Sequence, residues 1–206
     1  MKCIMVDYFI TFISLQTMEK VKSYLNRIVL LDDSEWVQFS SKLERVEYPK
    51  KSILLNTGAV EEHIYFIEKG IIRYFIPKEI NDMTFGFSFE NDIGSAYDSF
   101  INQVPSTYQL ETLTDTEVWR IKYNDLMDFY QKTKSGNHIG RIIGEQLYIK
   151  ALKRELSLLN ETAEQRYENL FHERPELIQQ IPLKYIASYI GITPQALSRI
   201  RKPSSD

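Results

Sequence analysis

The chain has 206 residues, of which 43% are hydrophobic and 26% are charged, and Cys3 is its single cysteine. This composition is that of an ordinary globular protein and excludes a disordered, collagen-like or repetitive chain. One cysteine excludes an internal disulfide framework, a zinc finger and a cysteine-ligated iron–sulfur cluster. We therefore expect a reducing, cytoplasmic setting. No segment reaches the roughly 20 apolar residues that span a bilayer, so we expect no membrane partner.

The net charge of -3 is unevenly distributed along the chain. Residues 1–121 carry 12 Lys and Arg against 18 Asp and Glu, whereas residues 122–206 carry 13 against 10. Residues 177–202 contain four cations and no acid. This asymmetry favours a polyanionic partner at the C-terminal end, although a chance cluster of surface cations would give the same counts.

The N-terminal part of the chain is predicted to be helical. Residues 1–17 show no helical or strand period, so we interpret them as an extension outside the fold. A chain that begins at Met18 should therefore keep its stability and oligomeric state. Residues 18–43 are predicted to form two helices, the second capped by Asp33 or Ser34.

From residue 44 to residue 121 the hydrophobic period changes to two, and turn residues separate short apolar runs. These runs predict seven strands, at residues 45–48, 52–56, 64–68, 71–76, 83–89, 108–112 and 117–121. Many short strands joined by close turns are typical of an antiparallel sandwich, jelly roll or barrel.

Helical periodicity returns from residue 122. Asn124 is predicted to cap a short helix, and residues 137–159 form a long helix with an apolar stripe of about six turns. The stripe predicts a seam with a second copy of the chain; the alternative is an amphipathic helix lying on its own β-domain. Gly136, Gly140 and Gly144 share one face of this helix, which indicates either close backbone approach or a frayed helix start.

The C-terminal stretch has the pattern of two short helices joined by a tight turn. Asn160 or Thr162 is predicted to cap a preceding helix, Gly191 supplies the turn, and Thr193-Pro194 begins the last helix. That helix displays amide, hydroxyl and guanidinium groups, which suit base edges and phosphates, whereas a generic helical hairpin with a basic end is the alternative. We expect DNA contacts from Lys184, Thr193, Gln195, Ser198, Arg199, Arg201 and Lys202.

The segment LKYIASYIGITPQALSRIRK resembles the DNA-binding end of Crp/Fnr transcription regulators, and the elements before it follow the same order. The segments LLNETAEQRYENL and RPELIQQIP are similar to members from Bacteroidetes-type bacteria. The resemblance covers about residues 18–202. It implies an α+β fold, with a jelly-roll-like antiparallel β-roll flanked by helices (18–130), a dimerisation helix (131–159) and a helix-turn-helix domain (160–206). The implied partners are double-stranded DNA, a second copy and RNA polymerase, with an effector that is unknown or absent.

Nucleotide-binding members of that family carry a Phe-Gly-Glu run, whose Glu binds a ribose hydroxyl, and a Pro-Arg-Ser-Ala run, whose Arg pairs with the cyclic phosphate. Ile93-Gly94-Ser95 and Pro105-Ser106-Thr107-Tyr108 stand at these places here. Without a bidentate Arg we predict no tight binding of cyclic AMP. Either a neutral or weakly anionic ligand or a self-packed roll is expected, and the ligand groups would be Gly94, Ser95, Ser99, Ser106 and Thr107.

No feature of the sequence predicts an enzyme, a metal site or a cofactor. The histidines are scattered and no triphosphate-binding loop is present, although one His would suffice to ligate a haem. Glu61-Glu62 and Asp32-Asp33 are interpreted as turn and helix-face carboxylates. The rival function is a ligand-binding or scaffold module with a protein-docking helical tail. With the chain ending at Asp206, we expect little or no β-wing.

Overall fold

The computed structural model describes residues 18–173, 175 and 179–201, so the predicted extension 1–17 and Lys202 lie outside the described residues. Residues 18–26 are helical and are called α1. The elements that follow are α2 (Asp33–Ser40), β1 (Glu44–Tyr48), β2 (Ile53–Leu55), β3 (His63–Lys69), β4 (Ile72–Ile76), β5 (Met83–Ser88), β6 (Ile93–Gly94), α3 (Tyr97–Asn102), β7 (Gln109–Thr112), β8 (Thr116–Lys122), α4 (Tyr123–Lys132), α5 (Gly136–Asn160), α6 (Ala163–Glu173), α7 (Leu183–Ile190) and α8 (Pro194–Ile200).

The strands form two four-stranded antiparallel sheets, in the orders β1-β8-β3-β6 and β2-β7-β4-β5. Successive side chains of a strand point to opposite faces, and one face of each sheet fills the space between the sheets. That shared core contains Leu55, Tyr65, Ile67, Ile72, Tyr74, Ala96, Leu110 and Val118. The arrangement confirms the predicted α+β class and the antiparallel β-roll.

The outer face of the β1-β8-β3-β6 sheet is covered by helices α1, α2, α4 and α5. Their apolar side chains form one buried cluster with Ile64, Phe66 and Trp119 of the sheet. The buried carboxylate of Glu35 joins α2 to the start of α5, because it accepts hydrogen bonds from the Ser135 backbone N–H at 2.9 Å and from its hydroxyl at 2.8 Å. The N-terminal helices are thereby fixed to the beginning of the long helix.

The outer face of the β2-β7-β4-β5 sheet is covered by the C-terminal helices. Ile71, Phe87, Phe89 and Leu113 of the roll form a single buried cluster with apolar side chains of α7 and α8, namely Ile186, Ala187, Ile190 and Leu197. The two C-terminal helices therefore share their hydrophobic core with the roll.

The helices α4 and α5 approach each other closely at the predicted glycine face. A Cβ atom added to Gly136 would lie 2.5 Å from the carbonyl oxygen of Phe129, and one added to Gly140 would lie 2.9 Å from the ring of Tyr130. Distances this short do not occur between real side chains, so only glycine fits at these positions. Close approach to the chain's own α4 is therefore correct for Gly136 and Gly140, whereas a Cβ on Gly144 would make only an ordinary contact of 3.5 Å with the Tyr97 hydroxyl.

Several predicted boundaries are wrong at single residues. The cap of α2 is Asp32, whose carboxylate accepts from the Glu35 N–H at 2.8 Å, and the cap position of α4 is Lys122 because β8 continues directly into that helix. The sequence also did not predict β6 or α3. Both are too short to show a period, since β6 has two residues and α3 has six.

Candidate nucleic-acid interface and roll interior

The turn between α7 and α8 has the geometry that the sequence predicts. α7 ends at Gly191, which has a φ of 87°, and the backbone N–H groups of Gly191 and Ile192 both donate to the carbonyl of Ala187 at 3.0 Å. The hydroxyl of Thr193 accepts from the Ala196 N–H at 3.2 Å, and Pro194 is the first helical residue. Thr162, likewise, caps α6 by accepting from the Gln165 N–H at 3.2 Å. The contacts of Gly191, Thr193 and Pro194 hold the start of α8 in one orientation.

The polar side of α8 is exposed, and its apolar side is packed on the protein. Leu197 is buried, whereas Ala196 and Ile200 are half-buried. All of the predicted contact residues within the described part of the chain are exposed, and they are Lys184, Thr193, Gln195, Ser198, Arg199 and Arg201. Neither Arg199 nor Arg201 forms an ion pair with a described carboxylate, so both guanidinium groups are available to an external anion.

Ser188 joins α7 to the edge strand β5. Its hydroxyl donates to the backbone carbonyl of Asp82 at 2.9 Å and accepts from the backbone N–H of Thr84 at 2.8 Å. A sheet edge leaves such backbone groups unpaired, and here one hydroxyl satisfies two of them. The contact fixes the position of α7 along β5.

Arg73 makes a second contact between the roll and α7, which the sequence did not predict. Its guanidinium is 1% exposed and lies between two rings, 4.0 Å from the centre of Phe75 and 3.8 Å from the centre of Tyr185. It also donates to the Thr84 hydroxyl at 2.8 Å, to Glu111 at 2.5 Å and to Asp82 at 3.2 Å. We call this set of interactions the Arg73 contact. A cation inside the apolar run at residues 71–76 was the available sequence signal.

The long helix α5 has two different halves. Near its start, Ile139 and Ile143 are buried against the roll. Further along, an apolar stripe is exposed at helical spacing, and it consists of Tyr148, Ile149, Leu152, Leu156 and Leu159. The alternative of an amphipathic helix lying on its own β-domain therefore applies to the first half of α5. For the second half, the seam with a second copy stays a prediction.

The three serines among the residues predicted to bind a ligand in the roll are already hydrogen-bonded within their own chain. The Ser99 hydroxyl donates to the Val104 carbonyl and accepts from the Glu61 N–H, at 2.5 and 3.0 Å. Ser106 is bonded to the backbone of Tyr108, and Ser95 donates to the His63 carbonyl at 2.9 Å. A Cβ on Gly94 would lie 2.6 Å from the Tyr74 hydroxyl, and Thr107 is exposed at the surface.

Glu61 is a buried carboxylate inside the roll, which corrects its interpretation as a solvated turn residue. It is 1% exposed and accepts hydrogen bonds from the His63 N–H at 3.0 Å, the Tyr65 hydroxyl at 3.1 Å and the Ala96 N–H at 3.4 Å. Burial raises the pKa of Glu61, against the effect of these donors. The local sequence does not reveal this burial, because it depends on the approach of α3.

Comparisons with known proteins show which families and solved structures this fold resembles. Residues 45–133 match the family described as "Cyclic nucleotide-binding domain". The c-di-GMP responsive global regulator CLP of Xanthomonas campestris is 17% identical, with 82% of this chain and 89% of that chain covered and a TM-score of 0.62. FixK2 from Bradyrhizobium japonicum is also 17% identical, with coverages of 77% and 82% and a TM-score of 0.64. The comparison with curated proteins gives no match.

A third structure, from Eubacterium rectale, is described as a transcriptional regulator of the Crp/Fnr family and has 14% identity, coverages of 82% and 82%, and a TM-score of 0.63. This chain has the Crp/Fnr fold. Within that fold, the nucleotide-binding domain match runs from β1 to the end of α4. It includes β6 and α3, where Glu61 accepts from Ala96 next to the start of α3.

The carboxylate of Glu61 lies inside the roll next to Ser99, one of the residues predicted to bind a ligand, because the Glu61 N–H donates to the Ser99 hydroxyl at 3.0 Å. The described residues contain no group of three His, Cys, Asp or Glu side chains arranged to hold a metal ion. None of the described helices is long and apolar enough to span a membrane.

Proposed function

We propose that the protein is a homodimeric, sequence-specific DNA-binding transcription regulator without enzymatic activity, and that it does not respond to cyclic AMP. The observation that carries this proposal is the exposed, acid-free face of α8 on a helix whose start is capped and whose opposite side is packed. The Crp/Fnr fold supports it, since the structurally similar proteins include described regulators.

The spacing on α8 assigns different roles to its polar residues. Gln195, Ser198 and Arg199 stand at i, i+3 and i+4, so they share one side of the helix and would face base edges in the major groove. The planar fork of Arg199 matches guanine O6 and N7, whereas Gln195 suits adenine. Thr193 and Arg201 stand at the two ends of α8, and together with Lys184 they would contact phosphates. The sequence predicts the same role for Lys202.

The apolar stripe of α5 supports the dimer. Leu159 is 73% exposed and Tyr148 is 68% exposed, and side chains of this size gain about 1.5–3 kcal/mol each when they are fully buried. A two-fold axis along the stripe would pair the two copies through one self-complementary surface. In such a dimer the two α8 helices would enter successive major grooves about 34 Å apart, on a near-palindromic site.

The contacts of α7 suggest how the roll would influence DNA binding. The Arg73 contact and Ser188 hold α7 on β5, and α8 follows α7 through a turn that both Gly191 and Thr193 constrain. A displacement of β4 or β5 would therefore be transmitted to α8. We propose that regulation acts by a shift between orientations of the two α8 helices, with RNA polymerase as the further partner of the bound dimer.

Selection of binding sites from random duplexes by the purified full-length chain tests the proposal. The selected sites should contain two inverted half-sites, and their affinity should fall steeply with salt concentration, because phosphate contacts release counterions. A scrambled duplex of the same composition serves as the control. Equal, salt-insensitive binding to both duplexes, or none to either, would contradict the proposal and favour the protein-docking scaffold.

A further inference from the structure

A cleft of about 680 Å³ separates the second half of α5 from α6 and the end of α7. We call it the basic cleft, because its polar wall contains the cations Lys150, Lys153, Arg154 and Arg166. Glu161 is the only acid among its lining residues, and its carboxylate accepts a hydrogen bond from the Ser157 hydroxyl at 2.6 Å. The wall therefore has an excess of positive charge.

Arg154 and Arg166 lie close together at the bottom of the basic cleft. Arg154 stacks on the Tyr189 ring at 3.9 Å and donates to the Tyr189 carbonyl, while Arg166 donates to the Ile190 carbonyl at 2.8 Å. The Nε atom of Arg154 is buried and has no hydrogen-bond partner among the described residues. Burial and the charge of Arg166 lower the pKa of Arg154. Two adjacent guanidinium groups and an unbonded N–H are costly unless an anion accompanies them.

The two lysines of the basic cleft have few internal partners. Lys153 forms no ion pair or hydrogen bond with a described residue, whereas Lys150 donates to the Phe87 carbonyl at 3.4 Å and lies 3.9 Å from a carboxylate oxygen of Asp92. The cleft is also lined by the apolar side chain of Leu170 on α6, and by Ile149 and Leu156, which belong to the apolar stripe of α5 and would be shared with the proposed dimer interface. The combination suits a molecule with an anionic end and an uncharged body.

We propose that the basic cleft binds a small phosphate compound that carries at least two negative charges. Phosphate oxygens would accept from Lys150, Lys153 and the guanidinium groups, since Arg and Lys are the preferred phosphate ligands. The site is concave and lies between helices, whereas the DNA contacts proposed above lie on the outer side of α8, so a small molecule fits better than a duplex. A bound anion would connect α5 to α6 and α7.

Titration calorimetry of the full-length chain with two probes, inorganic tripolyphosphate and ATP, tests this site. Both probes should give saturable heat with one site per chain, and tighter binding of ATP would identify a nucleotide body as part of the ligand. In the double variant Lys150→Gln and Lys153→Gln, affinity for both probes should fall at least about tenfold, because two charge-assisted contacts are lost.

Arg141→Gln is the matched control. It removes one positive charge from the same helix, but Arg141 is paired with Glu145 at 2.6 Å and does not line the cleft, so probe affinity should be unchanged. The proposal is overturned if neither probe gives saturable heat, or if the control loses as much affinity as the double variant. It is also overturned if the double variant weakens binding to random duplex DNA while tripolyphosphate gives no heat, because the lysines would then be DNA contacts.

Discussion

The guanidinium of Arg73, in a strand of the roll, lies 3.8 Å from the ring centre of Tyr185, in the first of the two C-terminal helices. The same guanidinium is ion-paired with Asp82 and Glu111 and donates to the Thr84 hydroxyl, so one buried cation links β4, β5 and β7 to α7. Helix α7, which precedes α8, is thus attached to the roll by a charged contact as well as by apolar packing.

Replacement of Arg73 by Met should lower the free energy of unfolding by about 3 kcal/mol, because the carboxylates of Asp82 and Glu111 would remain without their buried cation. Urea unfolding measures this loss. The matched control is Arg120→Met, which breaks an ion pair with Glu44 at 2.8 Å on the surface and should cost about 1 kcal/mol or less. Equal losses in both variants would show that the Arg73 contact has no special role.

Glu61 should make stability depend on pH. Burial raises its pKa above the usual value of 4.5, so the folded chain retains a proton that the unfolded chain has already released. Between these two pKa values the free energy of unfolding falls as the pH rises. Glu61→Gln removes this effect. We therefore expect the melting temperature of the variant, minus that of the unmodified protein, to increase as the pH is raised from about 4.5.

Glu62→Gln is the control for that experiment, because Glu62 is the exposed neighbour of Glu61. Its melting temperature should follow that of the unmodified protein at every pH. If the melting temperature of Glu61→Gln also followed that of the unmodified protein at every pH, Glu61 would have the same pKa in the folded and unfolded chains, and the prediction would be wrong.

Cyclic AMP should not bind tightly to the roll. The hydroxyls of Ser95, Ser99 and Ser106 are bonded within the chain, and the carboxylate of Glu61 would repel the cyclic phosphate. Calorimetry at neutral pH should show no saturable heat at micromolar nucleotide. Low-micromolar binding would mean that the interior rearranges and that backbone amides suffice to hold the phosphate.

Leu152→Glu should convert the proposed dimer into a monomer, because it places a charge in the middle of the apolar stripe of α5. Light scattering coupled to size-exclusion chromatography measures the mass. Ile80→Glu is the matched control, since Ile80 is 90% exposed and lies outside the stripe, and it should leave the mass unchanged. A dimeric Leu152→Glu protein would place the interface elsewhere.

Local patterns in the sequence predict most of this fold. Each of the seven predicted strands is present, because alternating side chains and turn residues report strands locally. The turn at Gly191 and the cap at Thr193 were also predictable, since each needs a particular residue at one position.

The features that the sequence did not predict depend on contacts between distant segments. Arg73 is buried in part because Tyr185 of α7 stacks on it, and Glu61 is buried because α3 approaches the start of β3. Both α7 and α3 are too distant along the chain for the hydrophobic periodicity around Arg73 or Glu61 to predict these contacts. The basic cleft arises in the same way, from cations on α5 and α6 that only the tertiary structure brings together.

The affinity of the Arg199→Ala variant for the selected operator and for a scrambled duplex tests the central claim most directly. Specific affinity should fall about tenfold or more and preference at one base pair per half-site should be lost, because an Arg–guanine pair contributes about 1–3 kcal/mol of discrimination. Arg201→Ala, the matched control, should weaken both duplexes alike and reduce the salt slope by about one unit. If Arg199→Ala behaved like Arg201→Ala and sequence preference were intact, α8 would not read bases through Arg199, and the account of the recognition surface would be contradicted.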